Sequence, residues 1–104
     1  MSKARPVHVL VTYRAKKGNE KALEALLRTH WPTLDSVGLV TKERAQLWSA
    51  TDKRSGAVSF VEMFRWKDEE ASGVAHQTPE VMAIWEPMEP LCDGLGILHL
   101  EPLA

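Results

Sequence analysis

Apolar and polar side chains alternate from the seventh residue onward. One face of residues 7–14 carries only apolar or aromatic side chains: Val7, Val9, Val11 and Tyr13. A period of two residues is typical of a strand with one buried face. The pattern therefore predicts a first strand over residues 7–14.

The spacing changes to three and four residues after the turn sequence AKKGN. Residues 19–31 place an apolar stripe with one histidine on one side of a helix: Ala22, Leu23, Leu26, Leu27, His30 and Trp31. Asn19 is a suitable N-cap. Pro32 is expected to end or kink this helix near Trp31, because its ring clashes with the carbonyl group four residues earlier.

Two further strands are predicted on either side of the polar turn TDKRSG. Residues 39–49 alternate weakly, whereas residues 57–66 are rich in β-branched and aromatic side chains. One face of the second run combines apolar side chains with a single carboxylate: Val58, Phe60, Glu62, Phe64 and Trp66. Because only a short turn separates the two runs, they are expected to pair as a hairpin.

Two helices and a last strand are predicted in the remaining sequence. Asp68 is a suitable cap for a short helix over residues 68–76. Thr78 and Pro79 match the N-cap and first turn of another helix. Two prolines are expected to force the end of that helix: Pro87 and Pro90. The run GLGILHLEPLA predicts a strand over residues 95–101.

The order of these elements predicts an α+β fold, a ferredoxin-like βαββαβ sandwich with a four-stranded antiparallel sheet and the helices on one face. With 104 residues, 44% of them hydrophobic, the chain is expected to form a single domain over residues 1–104. The second hairpin strand is too apolar for water on either face. We therefore expect a homodimer, in which the sheet of a second copy covers the face that the helices leave open.

The charge of the chain argues against two classes of partner. Thirteen basic and 14 acidic side chains leave a formal charge of -1, and no basic run exceeds Lys16–Lys17. Neither nucleic acid nor an anionic membrane is therefore expected as a partner. No apolar stretch approaches the roughly 20 residues of a membrane span, and a cytoplasmic protein is expected.

Cysteine and histidine are too sparse for a recognisable metal site. Cys92 is the only cysteine, which excludes an internal disulfide and a thiolate metal site. We interpret it as a small hydrophobic side chain at a helix-to-strand corner rather than as a nucleophile. The four histidines match no metal motif such as His-Glu-x-x-His, and no glycine-rich loop suits a phosphate group. No metal, haem or flavin is expected.

The run FVEMFRWKDEEASGVAHQTPEVMAI resembles a part of the antibiotic biosynthesis monooxygenases, which belong to the dimeric α+β barrel superfamily. In that family the third strand ends in an acidic and an aromatic residue, and a short helix with a histidine leads to a Ser/Thr-Pro helix start. The matching residues are Glu62, Trp66, His76, Thr78 and Pro79. The resemblance implies a homodimer and a cofactor-independent oxidation of a small aromatic or quinol-type substrate.

The haem-degrading branch of the same superfamily is less similar to this chain. The asparagine on the first strand of that branch falls at Val11, and its iron-ligating histidine falls near Trp85. Neither side chain ligates iron, so the resemblance does not imply haem.

Two of the matching residues have alternative interpretations. His76 either closes its helix, where an imidazolium interacts favourably with the helix dipole and the free carbonyl groups, or acts as a base in a pocket. Glu62, on a strand face with aromatic side chains, is either a sheet-edge residue paired with an arginine such as Arg44, or a partly desolvated carboxylate with a raised pKa.

Most of the other aromatic and histidine residues are interpreted as structural. Trp48, Trp66 and Trp85 are expected in the core or an interface more often than in a ligand platform. Three histidines fall within strand or helix patterns and are expected to be structural: His8, His30 and His99.

The most economical catalytic site uses an apolar pocket between the sheet and the helices. His76 would be the base, and four residues would contact the substrate: Glu62, Trp66, Trp85 and Met82. The resemblance implies that a phenol or hydroquinone deprotonated there reacts with dioxygen without a cofactor. The alternative is a non-catalytic homodimeric module that binds a small apolar metabolite.

Overall fold

The computed structural model describes residues 5–103, which form one sheet covered by helices. The strands are β1 Val7–Ala15, β2 Gln46–Thr51, β3 Val58–Trp66 and β4 Cys92–His99. The helices are α1 Glu20–Ser36, α2 Ala71–Ala75 and α3 Pro79–Met88, followed by a 3-10 turn at Glu89–Leu91. The predicted ferredoxin-like order is confirmed. The predicted domain also includes residues 1–4 and 104, which lie outside the described residues.

The four strands form an antiparallel sheet in the order β2-β3-β1-β4. In this register Val11 of β1 lies between Glu62 of β3 and Ile97 of β4. The helices cover the face of β1 and β3 that carries these buried side chains: Val9, Val11, Tyr13, Phe60, Glu62, Phe64 and Trp66. The predicted face of β3 is therefore confirmed, and Glu62 is its one charged member.

Helix α1 does not end at Pro32. It continues to Ser36, and the predicted end near Trp31 is wrong. Pro32 lies on the exposed side of the helix, where water can reach the carbonyl group that lacks its N–H partner. Continuing the helix buries Leu34 completely in the core, which favours the longer helix.

Strand β2 begins at Gln46, whereas the sequence predicted a start at residue 39. Val40 pairs with Trp66 in an isolated bridge, and Gln46 pairs with Met63. Between these pairs the chain advances six residues on one side and only three on β3. The extra residues form a loop outside the sheet, and this loop contains charged side chains.

The turn between β2 and β3 forms the predicted hairpin. The Asp52 carboxylate accepts hydrogen bonds from the backbone N–H groups of Arg54 and Ser55, at 2.8 and 2.9 Å. Gly56 has a φ of 76°, a left-handed conformation that glycine adopts without steric cost. These contacts lower the pKa of Asp52, with the bond from Ser55 as the largest cause and the bond from Arg54 as the second.

The second half of the chain differs from the prediction mainly at its boundaries. Helix α2 begins at Ala71, and Asp68 accepts a bond from the Glu70 N–H in the turn before it. Helix α3 begins with Thr78 and Pro79 as predicted, but it passes through Pro87 and ends at Met88. Strand β4 begins three residues earlier than predicted.

The face of the sheet that points away from the helices carries a second apolar surface. Trp48 and Leu98 are 48% and 57% exposed, and they extend a half-buried row formed by Leu10, Val61 and Met63. None of the helices in residues 5–103 is long and apolar enough to cross a membrane.

Candidate functional site

A cavity of about 620 Å³ lies against the helix-covered face of the sheet. Its walls come from β1, β3 and β4 and from the helices above them. Most of the lining is apolar and includes Val9, Val11, Phe64, Met82, Leu95 and Ile97. The volume falls in the usual range for small-molecule sites, and an apolar wall with few polar groups is typical of them.

Three of the residues predicted to contact a substrate line this cavity. They are Trp66, Trp85 and Met82. Trp66 is buried and packs edge-on against Phe64, with ring centroids 5.0 Å apart. Trp48 lies on the other face of the sheet, where it cannot take part in this site.

His76 lies both at the end of α2 and on the wall of the cavity. Its Nδ1 lies 2.8 Å from the Ser72 carbonyl oxygen. Because a carbonyl oxygen only accepts, Nδ1 carries a proton and donates it, which leaves Nε2 as the basic nitrogen of the neutral ring. The ring packs edge-on against Trp85 at a centroid distance of 4.8 Å. The helix-end contact and the cavity position thus occur together.

Glu62 lies behind the cavity rather than on its wall. Its carboxylate is 1% exposed and accepts a hydrogen bond of 2.6 Å from the Tyr13 hydroxyl. His30 Nδ1 lies 3.0 Å from both carboxylate oxygens. Tyr13 of β1 and Glu62 of β3 are diagonal neighbours on the same face of the sheet, since Glu62 pairs with Val11. Helix α1 places His30 against Glu62. The carboxylate is therefore buried with two donors.

Trp85 fixes the proton of His30. The indole N–H of Trp85 lies 2.9 Å from His30 Nε2. An indole nitrogen only donates, so Nε2 must accept, and the proton of the neutral imidazole sits on Nδ1, facing Glu62. The four side chains form one chain of hydrogen bonds, which we call the buried chain: Trp85, His30, Glu62 and Tyr13.

Burial raises the pKa of Tyr13 well above its ordinary value, and the neighbouring Glu62 carboxylate raises it further. Ionising this hydroxyl would place a second negative charge beside Glu62 in the interior. Tyr13 therefore stays protonated and remains a donor to Glu62.

One interpretation of Glu62 is wrong. The carboxylate is not at a sheet edge and does not pair with Arg44, whose guanidinium lies 5.9 Å from the centre of the Trp31 ring. The carboxylate is buried instead, because β3 is an inner strand and helix α1 covers this face. The partners of Glu62 come from helix α1 and from the neighbouring strand.

Sequence reasoning missed His30 and Tyr13 as members of the site. The sequence pattern includes His30 in the apolar stripe of α1, which predicts an inward side chain, and Tyr13 in the apolar face of β1. A buried histidine needs a polar partner, and Glu62 was the one carboxylate predicted on an apolar face. Matching these two unpaired groups could have found the contact.

Cys92 also lines the cavity, at the start of β4. Burial raises the pKa of its thiol, an effect that nearby Lys16 partly opposes. Cys92 is thus a thiol rather than a thiolate at neutral pH, which does not favour a nucleophile. Among residues 5–103, no group of three or more His, Cys, Asp or Glu side chains is arranged to hold a metal ion.

Comparison with known proteins identifies the fold. No family model and no curated protein matches the sequence. The solved structure of PA3566 from Pseudomonas aeruginosa matches with a TM-score of 0.74 and 21% identity over 100% of both chains. Rv0793 from Mycobacterium tuberculosis matches with a TM-score of 0.72 and 18% identity, over 96% of this chain and 97% of that one.

A solved structure named antibiotic biosynthesis monooxygenase matches with a TM-score of 0.72 and 13% identity, over 94% of this chain and 99% of that one. At such low identity the likeness concerns the fold alone. The resemblance seen in the sequence is confirmed at that level: this chain has the antibiotic biosynthesis monooxygenase-like fold.

Proposed function

We propose that this protein is a cofactor-independent oxygenase of a small aromatic or quinol-type substrate, which binds in the cavity of about 620 Å³. The observation that carries the proposal is His76 on the wall of an apolar cavity. Its Nδ1 is engaged by the Ser72 carbonyl group, so its Nε2 is available as a base. The structural likeness to a protein named antibiotic biosynthesis monooxygenase supports the same reaction class.

The proposed reaction begins with the transfer of a ring hydroxyl proton to His76 Nε2. The resulting anion is electron-rich at ring carbon, and it supplies the electrons that reduce dioxygen. One oxygen atom enters the ring and the other leaves as water, so that a hydroquinone becomes a hydroxyquinone. Substrate and dioxygen balance this reaction without a further reductant.

The apolar walls have two roles in this proposal. Trp66, Trp85 and Met82 hold the flat ring of the substrate, and they exclude water from the reactive anion. Glu62 does not touch the substrate in this arrangement. His30 lines the cavity and bonds Glu62 from that side.

The experiment is oxygen uptake by the purified protein, dialysed against a chelator, with a panel of hydroquinones and phenols. The proposal predicts uptake for at least one hydroquinone, with one atom of heavy-isotope dioxygen in the product. Absence of uptake across the panel, combined with binding of one of these rings, would instead favour a module that binds a small apolar metabolite.

We also propose that the protein is a homodimer through the sheet face that points away from the helices. Of the two apolar faces of β3, the one with Val58, Phe60, Phe64 and Trp66 is turned to the helices, and the alternate residues Val61 and Met63 face outward. Together with Trp48 and Leu98 they form an apolar surface that a second sheet would cover.

Light scattering at micromolar concentration is expected to give twice the chain mass of 11.7 kDa. Met63→Glu would place a charge at the centre of the surface and should shift the mass to that of one chain. A wild-type mass of 11.7 kDa would refute the dimer.

A further inference from the structure

Two histidines flank the indole of Trp85. The ring centroids of His30 and His76 lie 6.0 and 4.8 Å from that of Trp85. In both rings Nδ1 faces an acceptor, which leaves Nε2 as the basic nitrogen. The proposed function uses only His76 as a base, although His30 also lines the cavity.

The two rings differ in what lies behind them. His76 donates to a neutral backbone carbonyl group, whereas His30 donates to the Glu62 carboxylate. If His30 Nε2 takes up a proton, the imidazolium charge lies 3.0 Å from both carboxylate oxygens, inside the protein where little solvent screens the attraction. A carboxylate behind an imidazole orients the ring and stabilises the charged form, as in hydrolase triads.

Tyr13 holds the carboxylate in place from the other side. Its hydroxyl donates to Glu62 Oε1 at 2.6 Å. Because burial and the Glu62 charge both raise the pKa of Tyr13, this hydroxyl keeps its proton. Tyr13 can thus fix the position of Glu62 while His30 changes its protonation.

Trp85 covers the acceptor of His30. Its indole N–H occupies Nε2 at 2.9 Å, yet the Trp85 side chain is only half-buried and forms part of the cavity wall. A rotation of this side chain away from His30 would uncover Nε2. An O–H donor from a ligand could then replace the indole N–H, so that the acceptor would not lose a hydrogen bond.

We infer that His30, backed by Glu62, is a second proton acceptor for a ring hydroxyl, and that Trp85 covers it until a phenolic ligand takes the place of the indole N–H. In this step the ligand O–H bond breaks and an Nε2–H bond forms. The phenolate and the imidazolium remain as a pair, and Glu62 balances the imidazolium charge. The inference rests on the proposed function in that both place a phenolic ring in this cavity, but proton transfer requires no dioxygen.

The test uses para-nitrophenol, because its ionised form absorbs visible light and its neutral form does not. The wild-type protein is mixed with this phenol at a pH below the pKa of the ligand. A phenolate band is expected on binding. It should persist in His76→Asn, which keeps the His30 base, and disappear when His30→Gln, which lacks a base, is added to that variant. His8→Gln is the matched control, since His8 lies on the outward face of the sheet and should leave the band unchanged.

A second variant keeps the test decisive if His30→Gln does not fold. Trp85→Phe removes the indole N–H that competes for Nε2 but leaves His30 and Glu62 in place. The ionised fraction of the bound phenol is expected to rise above that of the wild type. Nitrogen NMR of His30 should show Nε2 unprotonated in the free protein and protonated with the phenol bound.

Three results would overturn the inference. They are a phenol that fails to bind, a phenol that binds His76→Asn only in its neutral form, and a phenolate band that survives in folded His76→Asn/His30→Gln. The proposed function can fail separately: ionised para-nitrophenol without oxygen uptake from any hydroquinone would leave His30 as a proton acceptor and refute the oxygenase.

Discussion

The surroundings of His30 and His76 differ sharply, although both rings touch Trp85. His30 is 2% exposed and belongs to the buried chain, where a carboxylate and an indole occupy its two nitrogens. His76 is exposed at the end of a five-residue helix, and a backbone carbonyl group occupies only its Nδ1. Within the part of the chain that the structure describes, hydrogen bonds engage both ring nitrogens of His30 but only Nδ1 of His76.

Because of this difference, mutations at the two histidines should affect stability and the reaction separately. A buried hydrogen-bonded group cannot lose a partner without leaving a desolvated polar atom, whereas an exposed group can turn to water. We therefore expect changes near His30 to lower the free energy of unfolding strongly. Changes at His76 should affect the reaction and leave the fold almost unaltered.

The largest expected effect on stability is that of His30→Ala. This change leaves the Glu62 carboxylate with one donor instead of two and opens space in the core. A loss of about 3 to 5 kcal/mol in the free energy of unfolding is expected. The matched change His76→Ala should cost at most about 1 kcal/mol. Urea unfolding measures both losses. Equal losses would show that His30 contributes no more to stability than His76.

Removal of a single hydroxyl group tests the same contrast between a buried and an exposed bond, with a smaller expected loss of stability. Tyr13→Phe removes the 2.6 Å bond to the buried carboxylate, and a loss of about 1.5 to 3 kcal/mol is expected. Thr78→Val removes the 2.7 Å bond to the Val74 carbonyl group near the surface, and about 0.5 kcal/mol is expected. If the two variants unfold at the same urea concentration, the buried chain contributes no more than a surface bond.

Alkaline pH should have the smallest effect, and Tyr13 gives its sign. The pKa of Tyr13 is raised in the folded protein, so its contribution to stability is complete below the ordinary value of 10.0. The contribution is lost as pH rises above that value toward the folded pKa, because the unfolded chain ionises first. The slope from this group is at most about 1.4 kcal/mol per pH unit.

Urea unfolding between about pH 9 and about pH 11 measures this slope. Lysine residues and Cys92 also titrate in this range, but they are common to the wild type and to Tyr13→Phe. The variant should therefore lose stability less steeply. Parallel curves for the two proteins would show that Tyr13 is not the cause.

The sequence predicted the sheet well because its signals are local. Alternation placed Glu62 on the apolar face of β3, and the order of elements predicted the fold. One partner of Glu62, His30, lies 32 residues away on α1, and no local pattern specifies which helical residue the packing brings to that carboxylate. The buried chain therefore had to come from tertiary structure.

Pro32 and residues 41–45 show a different limit of sequence reasoning. The steric rule for proline is correct, but at Pro32 the carbonyl group that lacks a partner faces solvent, and Leu34 is buried by continuing the helix. The delayed start of β2 depends on a mismatch in chain length between two paired points, which alternation does not reveal. The helix-end position of His76 follows from the local pattern, but its second position on a cavity wall depends on the packing of its ring against Trp85 of α3.

The most direct test of the account is the rate of oxygen uptake by His76→Asn with a hydroquinone that the wild type oxidises. Asparagine can still donate to the Ser72 carbonyl group but cannot act as a base near neutral pH. The account predicts unchanged unfolding and substrate binding, with a turnover rate about 10² to 10⁴ lower. His8→Asn, on the outward face of the sheet, should keep the wild-type rate. A folded His76→Asn variant that turns over as fast as the wild type would show that His76 is not the catalytic base.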